Sequence, residues 1–139
     1  MAPTDNTKTF LGIRIVELER GRAVLTMTVR PEMANGFGIT HGGMVFTLAD
    51  TAFAYACNEG ESPTVAAGAD ITFARASHAG DVLTATAVRR WAAGRNGLYD
   101  ITVTDQHDRV IAEFRGRSFV TNRPLPSSED AAAAAGPAE

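Results

Sequence analysis

Asp50 is the one carboxylate in the stretch NGFGITHGGMVFTLADTAFAYAC, residues 35 to 57, where a glycine-rich loop runs into an apolar helix. An acid in the middle of a helix built of Ala, Leu and Phe suffers desolvation unless it is exposed, paired or used. Near the start of the segment, THGG puts Gly42 and Gly43 where the helix should begin. Backbone N–H groups there lack intrahelical partners, glycine allows close approach, and the positive end of the helix dipole stands behind them. An oxyanion would be held well at that point. The plain alternatives are glycines that only permit a tight turn and an aspartate that faces solvent or is satisfied. An oxyanion donor with one carboxylate, and no visible acid for a leaving group, suits acyl transfer from a thioester. A thiol of pKa about 8.5 departs with little need of protonation. Asp50 would act as general base on water or as nucleophile, and the residues do not choose between them.

Spacing adds a constraint. Gly42 and Asp50 stand eight residues apart, which in a helix is about 12 Å along the axis. One carbonyl cannot touch both, so a shared reacting centre needs the two groups from different copies of the chain on antiparallel helices. The expectation is a homodimer with two shared sites.

The elements that must position these groups follow from periodicity. RAVLTMTV sets Leu25, Met27 and Val29 against Thr26 and Thr28, the two-residue period of a half-buried strand, and GIRIVELE at 12 to 19 alternates similarly. LYDITVTD alternates again, and Asn96-Gly97 ahead of it is a hairpin signal expected to join strands near 81 to 91 and 98 to 105. A tight connection at DQHDR leads to VIAEFRGRSFVT, and an earlier strand covers 65 to 75. Two strands, a helix at about 41 to 58 and four strands joined largely by hairpins give an α+β fold, an antiparallel sheet with one long helix. That helix is apolar all round, from Met44 to Ala56, so the sheet should wrap it, with oligomerisation covering the sheet edges and helix surface that remain. Residues 1–9 read as an N-terminal arm, 10–122 as the domain, and 123–139, with two prolines and an alanine run, as a flexible tail.

Composition narrows the classes. A chain of 139 residues, 45% apolar and with a net charge of −3, fits one domain and carries no electrostatic footprint for nucleic acid. The apolar run at 44 to 57 is too short to cross a bilayer, the start lacks a signal pattern, and one cysteine forms no internal disulfide, so no membrane partner and a cytoplasmic location are expected. GFGITHGG fails the dinucleotide pattern because position 41 is His41, and neither a Walker A loop nor a G-x-S-x-G elbow is present. His41, His78, His107 and Cys57 show no metal-ligand spacing, so no metal is expected. Cys57 reads as an apolar filler, and His78 and His107 as solvent-facing turn residues.

HGGMVFTLADTAFAYACN, followed in order by FARASHAGDVLTATA and LYDITVTD…VIAEFRGRS, resembles the hotdog-fold acyl-CoA thioesterases, and among them the phenylacetyl-CoA thioesterase type of bacterial phenylacetate catabolism. The similarity runs from about residue 10 to 121. It implies a six-stranded antiparallel sheet wrapped around the helix, paired into dimers and usually tetramers with sites at the subunit interface. It also implies Asp50 as catalytic carboxylate, the Gly42 N–H polarising the carbonyl with help from the setting of His41, Asn35 orienting water or carbonyl, and Thr51 lining the site. The substrate implied is an aryl-acyl-CoA, with coenzyme A as part of the substrate and no separate cofactor. Two departures stand out: Arg75 precedes Ala76 where the family often has proline, and Gly68 stands where some relatives have a hydroxyl. Gly43 and Phe37 are candidates for the acyl side of the site, together with Ile39, Met44 and Phe46. Arg75, Arg89, Arg90, Arg115 and Arg117 are candidates for the coenzyme A phosphates, each with an ordinary solvated strand face as its alternative. Other readings of the whole chain are a non-catalytic acyl-CoA-binding sensor and a hotdog hydratase or dehydratase, whose acid and histidine pairing is not seen here.

Overall fold

The structure, a computed structural model, describes residues 5–58 and 63–121. A short helix α1 (Asn6–Leu11) leads into strands β1 (Arg14–Glu19) and β2 (Arg22–Thr28). After a 3-10 turn at Pro31–Met33 come the long helix α2 (Gly42–Cys57) and the strands β3 (Thr64–Phe73), β4 (Val82–Ala93), β5 (Asn96–Thr104) and β6 (Val110–Val120). The strands form one sheet in the order β1-β2-β4-β5-β6-β3, every pair antiparallel. This is the hotdog arrangement expected from the sequence. The stretch read as an N-terminal arm runs into α1, which Asp5 caps by accepting from the Lys8 N–H at 3.1 Å and which sends Leu11 into the core. The tail read at 123–139 lies outside the described residues.

Alternation along β2, β4, β5 and β6 puts Leu25, Met27, Leu83, Ala85, Ile101, Val103 and Phe114 on one face, where they meet Leu48, Ala49, Ala52, Phe53 and Ala56 of α2. The ring of Phe53 is buried between Tyr99 and Phe114, at centroid distances of 5.4 and 6.0 Å. It lies so close over β6 that a Cβ at Gly116 would be 2.8 Å from it, so the glycine is what lets the helix settle onto the strand. Cys57 is buried at the end of α2, and Asn58 closes the helix by donating from N and Nδ2 to the Ala54 carbonyl.

The sheet leaves part of the helix surface uncovered, as expected: Gly43, Thr47, Asp50 and Ala54, spaced along one face, stay exposed or half-buried because the sheet covers only the opposite side. Two details differ from the sequence reading. Strand β1, whose alternation reads as half-buried, lies at the sheet edge and is exposed along its whole length. The β4–β5 turn is Gly94-Arg95, with Ala93 paired to Asn96, rather than Asn96-Gly97. Gly94 takes φ +60, while Gly97 sits inside β5, where a Cβ would meet the Ser118 hydroxyl at 2.7 Å. Two glycines compete for the turn, and the crowded one has to be in the strand.

Candidate active site

The loop before α2 is built by Asn35. Its Oδ1 accepts from the N–H groups of Phe37 (2.9 Å) and Ile39 (3.2 Å), and its own N–H donates to the Ile39 carbonyl at 2.8 Å. Gly38, at φ +78, lets the loop reverse. Phe37 stands at its tip, 88% exposed. The loop is tied down on its other side by the segment after β3. Thr40 N–H donates to the Ser77 carbonyl at 2.8 Å, and the Ser77 hydroxyl donates to Thr40 Oγ1 at 2.8 Å in a buried pair. His41 is fixed through its backbone N–H, which donates to the Met33 carbonyl at 2.9 Å, and it occupies the N-cap without a side-chain cap bond. Its imidazole is exposed.

The first helical N–H groups, those of Gly42 and Gly43, take no hydrogen-bond partner among the described residues, whereas Met44 N–H already turns back to the His41 carbonyl. Gly42 opens onto a cleft of about 390 Å3 that Ile39, Val45, Phe73, Arg75, Ser77 and Ile111 help to line. The helix dipole and these free donors make the mouth of α2 a place for a carbonyl oxygen that gains negative charge. Phe73 was not apparent from the sequence. It ends β3, and its ring packs so closely on the helix start that a Cβ at Gly42 would lie 3.0 Å from Cζ. A strand-end phenylalanine reads as core; only the topology that brings β3 over the helix mouth gives it another setting.

Asp50 lies on the uncovered face of α2, half-buried, with no hydrogen-bond or ion-pair partner among the described residues. Burial pushes its carboxyl pKa above the ordinary aspartate value. It shares α2 with Gly42 but stands more than two turns further on, about 12 Å by helix geometry. A single chain therefore does not bring the two onto one carbonyl. Thr51 is buried, and its hydroxyl donates to the Thr47 carbonyl at 2.7 Å, as the Thr47 hydroxyl does to the Gly43 carbonyl at 2.8 Å.

The arginines separate by partner. Arg115 makes a two-pronged bond to Asp100 (2.7 and 2.9 Å), Arg90 approaches the same carboxylate at 3.4 Å, and Arg117 bonds Asp70 at 3.1 Å. Arg89 packs over Gly21 at the β1–β2 turn and donates its N–H to the Gly21 carbonyl. Neither Arg89 nor Arg90 lines the Gly42 cleft, while Arg75 lines it and has no acidic partner among the described residues. Ile39 joins the cleft, Phe46 packs edge-on to Phe114 at 5.2 Å, and Met44 rests against the core. Gly68 sits at a register shift in β3, where a Cβ would be 3.1 Å from Arg117. Among the described residues no three His, Cys, Asp or Glu side chains group to hold a metal, and no helix is long and apolar enough to cross a membrane.

Residues 37–112 match the model of the Thioesterase superfamily. The chain is 49% identical over 108 residues to the protein of Escherichia coli (strain K12) named acyl-coenzyme A thioesterase PaaI, an alignment covering 78% of this chain and 77% of that one. The solved structure of E. coli PaaI, a protein from the phenylacetic acid degradation operon, superposes with a TM-score of 0.85 at 44% identity, covering 88% of this chain and 89% of that chain. A hypothetical thioesterase of Streptococcus pneumoniae TIGR4, solved with coenzyme A, has a TM-score of 0.76 at 25% identity, covering 81% and 88%.

Proposed function

The chain belongs to the Thioesterase superfamily, and on that premise we propose that it hydrolyses aryl-acyl-CoA thioesters of the phenylacetyl or hydroxyphenylacetyl type to the free acid and coenzyme A. The observation that carries the reading is Asp50, a half-buried carboxylate on α2 that, like the opening N–H groups of that helix, has no partner among the described residues. In the proposed reaction the thioester oxygen accepts from the Gly42 N–H, which stabilises the negative charge that develops as the carbonyl carbon becomes tetrahedral. Asp50 attacks that carbon or takes a proton from the water that does. Collapse of the tetrahedral centre breaks the C–S bond, and the thiolate leaves without a dedicated acid because it is only a weak base; where Asp50 is the nucleophile, water then hydrolyses the acyl–Asp50 anhydride to the free acid and restores the carboxylate.

Since Gly42 and Asp50 of one helix lie too far apart, the reading includes a homodimer in which one subunit supplies the amide and the other the carboxylate. The uncovered face of α2, which carries Asp50, supports that pairing. A tetramer of two such dimers and a cytoplasmic setting complete the proposal. Arg75 is the arginine assigned to the coenzyme A phosphates, because it borders the cleft and is not neutralised by an acid among the described residues. Asn35 holds the loop through Oδ1 and leaves its Nδ2 as a donor toward water or carbonyl.

The test is thiol release from phenylacetyl-CoA, hydroxyphenylacetyl-CoA, benzoyl-CoA and a medium straight-chain acyl-CoA, by the native chain and by Asp50→Asn. The expected result is turnover that favours the arylacetyl thioesters and falls about 10²- to 10⁴-fold in the variant. Tight binding with no thiol release from any of the four would replace this reading with that of an acyl-CoA sensor. Near-native turnover by a folded Asp50→Asn would remove Asp50 from the chemistry.

A further inference from the structure

The aromatic rings that hold the core together, Phe53 and Phe114, are buried, but Phe73 is 52% exposed while its tip is pressed against a helix residue that has no side chain. Core packing does not account for a ring in that position. Cζ and Cε1 lie 3.0 and 3.3 Å from where a Cβ on Gly42 would be, so the ring fills the space that any other residue at 42 would need. The same ring borders the cleft onto which Gly42 opens, with Val45 and Ile111 as its apolar neighbours and Arg75 two residues further along the chain. A carbonyl oxygen bound to the Gly42 N–H sits about 2.7–3.1 Å from that nitrogen. The atoms bonded directly to the carbonyl carbon then enter the space beside the ring.

We propose that Phe73 is a specificity-determining residue: its ring limits bulk at the acyl carbon next to the carbonyl. Thioesters with a methylene there, arylacetyl or straight-chain, fit past it; those with an aromatic ring attached directly, such as benzoyl, do not. The inference rests on the thioesterase reading of this site. It also gives Gly42 a second reason to be glycine, since a methyl group there would drive the ring into the path of the acyl chain.

The experiment compares kcat/KM for phenylacetyl-CoA and benzoyl-CoA in the native chain, Phe73→Ala, Phe73→Leu, Gly42→Ala and the Gly42→Ala/Phe73→Ala double variant, with melting followed for each. The native chain should favour phenylacetyl-CoA, and Phe73→Ala should raise the benzoyl to phenylacetyl ratio by at least about tenfold, the scale on which apolar pockets discriminate single groups. Phe73→Leu should fall between, and it carries the comparison if the alanine variant does not fold. The double variant should recover part of the activity that Gly42→Ala loses. A substrate ratio that stays constant in folded Phe73 variants overturns the inference while leaving the thioesterase reading intact. No thiol release by the native chain from any thioester overturns both.

Discussion

Asp50 and Asp100 show how one residue type takes two characters in one fold. Asp100 is held below the ordinary aspartate value by its hydrogen bonds to Arg115, and it is a structural anion of the sheet surface. Asp50 has no cation beside it among the described residues, and burial raises it. As pH falls through that raised value the carboxylate becomes protonated and loses its basicity, so kcat/KM should show an acidic limb lying above the ordinary aspartate range. A limb at or below that range would mean that a different group titrates. The stability consequence has the opposite sense. At low pH Asp50 is neutral in both folded and unfolded chains; as pH rises the unfolded chain ionises first, and stability is lost up to the folded pKa. Asp50→Asn should therefore melt above the native chain at pH 7, with the gap closing at acidic pH. A variant that melts lower at neutral pH would show that Asp50 gains more from its surroundings than burial removes. Asp50 and Gly42 were legible in the sequence as candidates because an acid and two glycines break an apolar pattern. Phe73 was not, since nothing local distinguishes a strand-end ring that packs on a helix mouth from one that packs in the core.

At the scale of elements, the helix mouth is held by parts distant in sequence. Ser77 is 2% exposed and bonds Thr40, 37 residues earlier and two before Gly42. Ser77→Ala leaves the Thr40 hydroxyl buried without its donor, which should cost about 1–3 kcal/mol of stability by urea unfolding. It should also lower thioester turnover, because the loop that sets the Gly42 amide is loosened. An unchanged unfolding midpoint would mean that the loop relaxes to let water replace the serine. Strands β2 and β5 were readable from a period of two, which records which face is buried, and α2 from an apolar run that follows two glycines, whereas β1 alternates in sequence yet is exposed along its whole length. The Gly94-Arg95 turn was not, because Asn96-Gly97 carries the stronger local signal and only the contact between Gly97 and Ser118 excludes it. The short helix α1 escaped for a related reason: six residues hold too few turns for a pattern.

The whole molecule has an open helix flank and two strands, β1 and β3, at the sheet edges. If one subunit supplies Gly42 and the other Asp50, a hybrid of Asp50→Asn and Gly42→Ala chains contains one intact site out of two. Random pairing at equal concentrations makes half of the dimers hybrids, so mixing should restore about a quarter of native activity from two inactive preparations. Hybrids demonstrated by mass but without activity would place both groups of each site on one chain. The sequence carried this expectation through an eight-residue spacing, while the order in which the sheet places its edges emerged only with the fold, because register between distant strands leaves no local mark.

Cys57, buried at the end of α2, is the only sulfhydryl in the chain. A disulfide reagent that colours on meeting free coenzyme A is therefore blind to the enzyme for as long as α2 stays seated. Should the domain open during an assay, the colour acquires a second source, one equivalent per chain and no more. A progress curve that bends upward by that stoichiometric step records unfolding, and the rate of the step in the absence of thioester times how often the core comes apart.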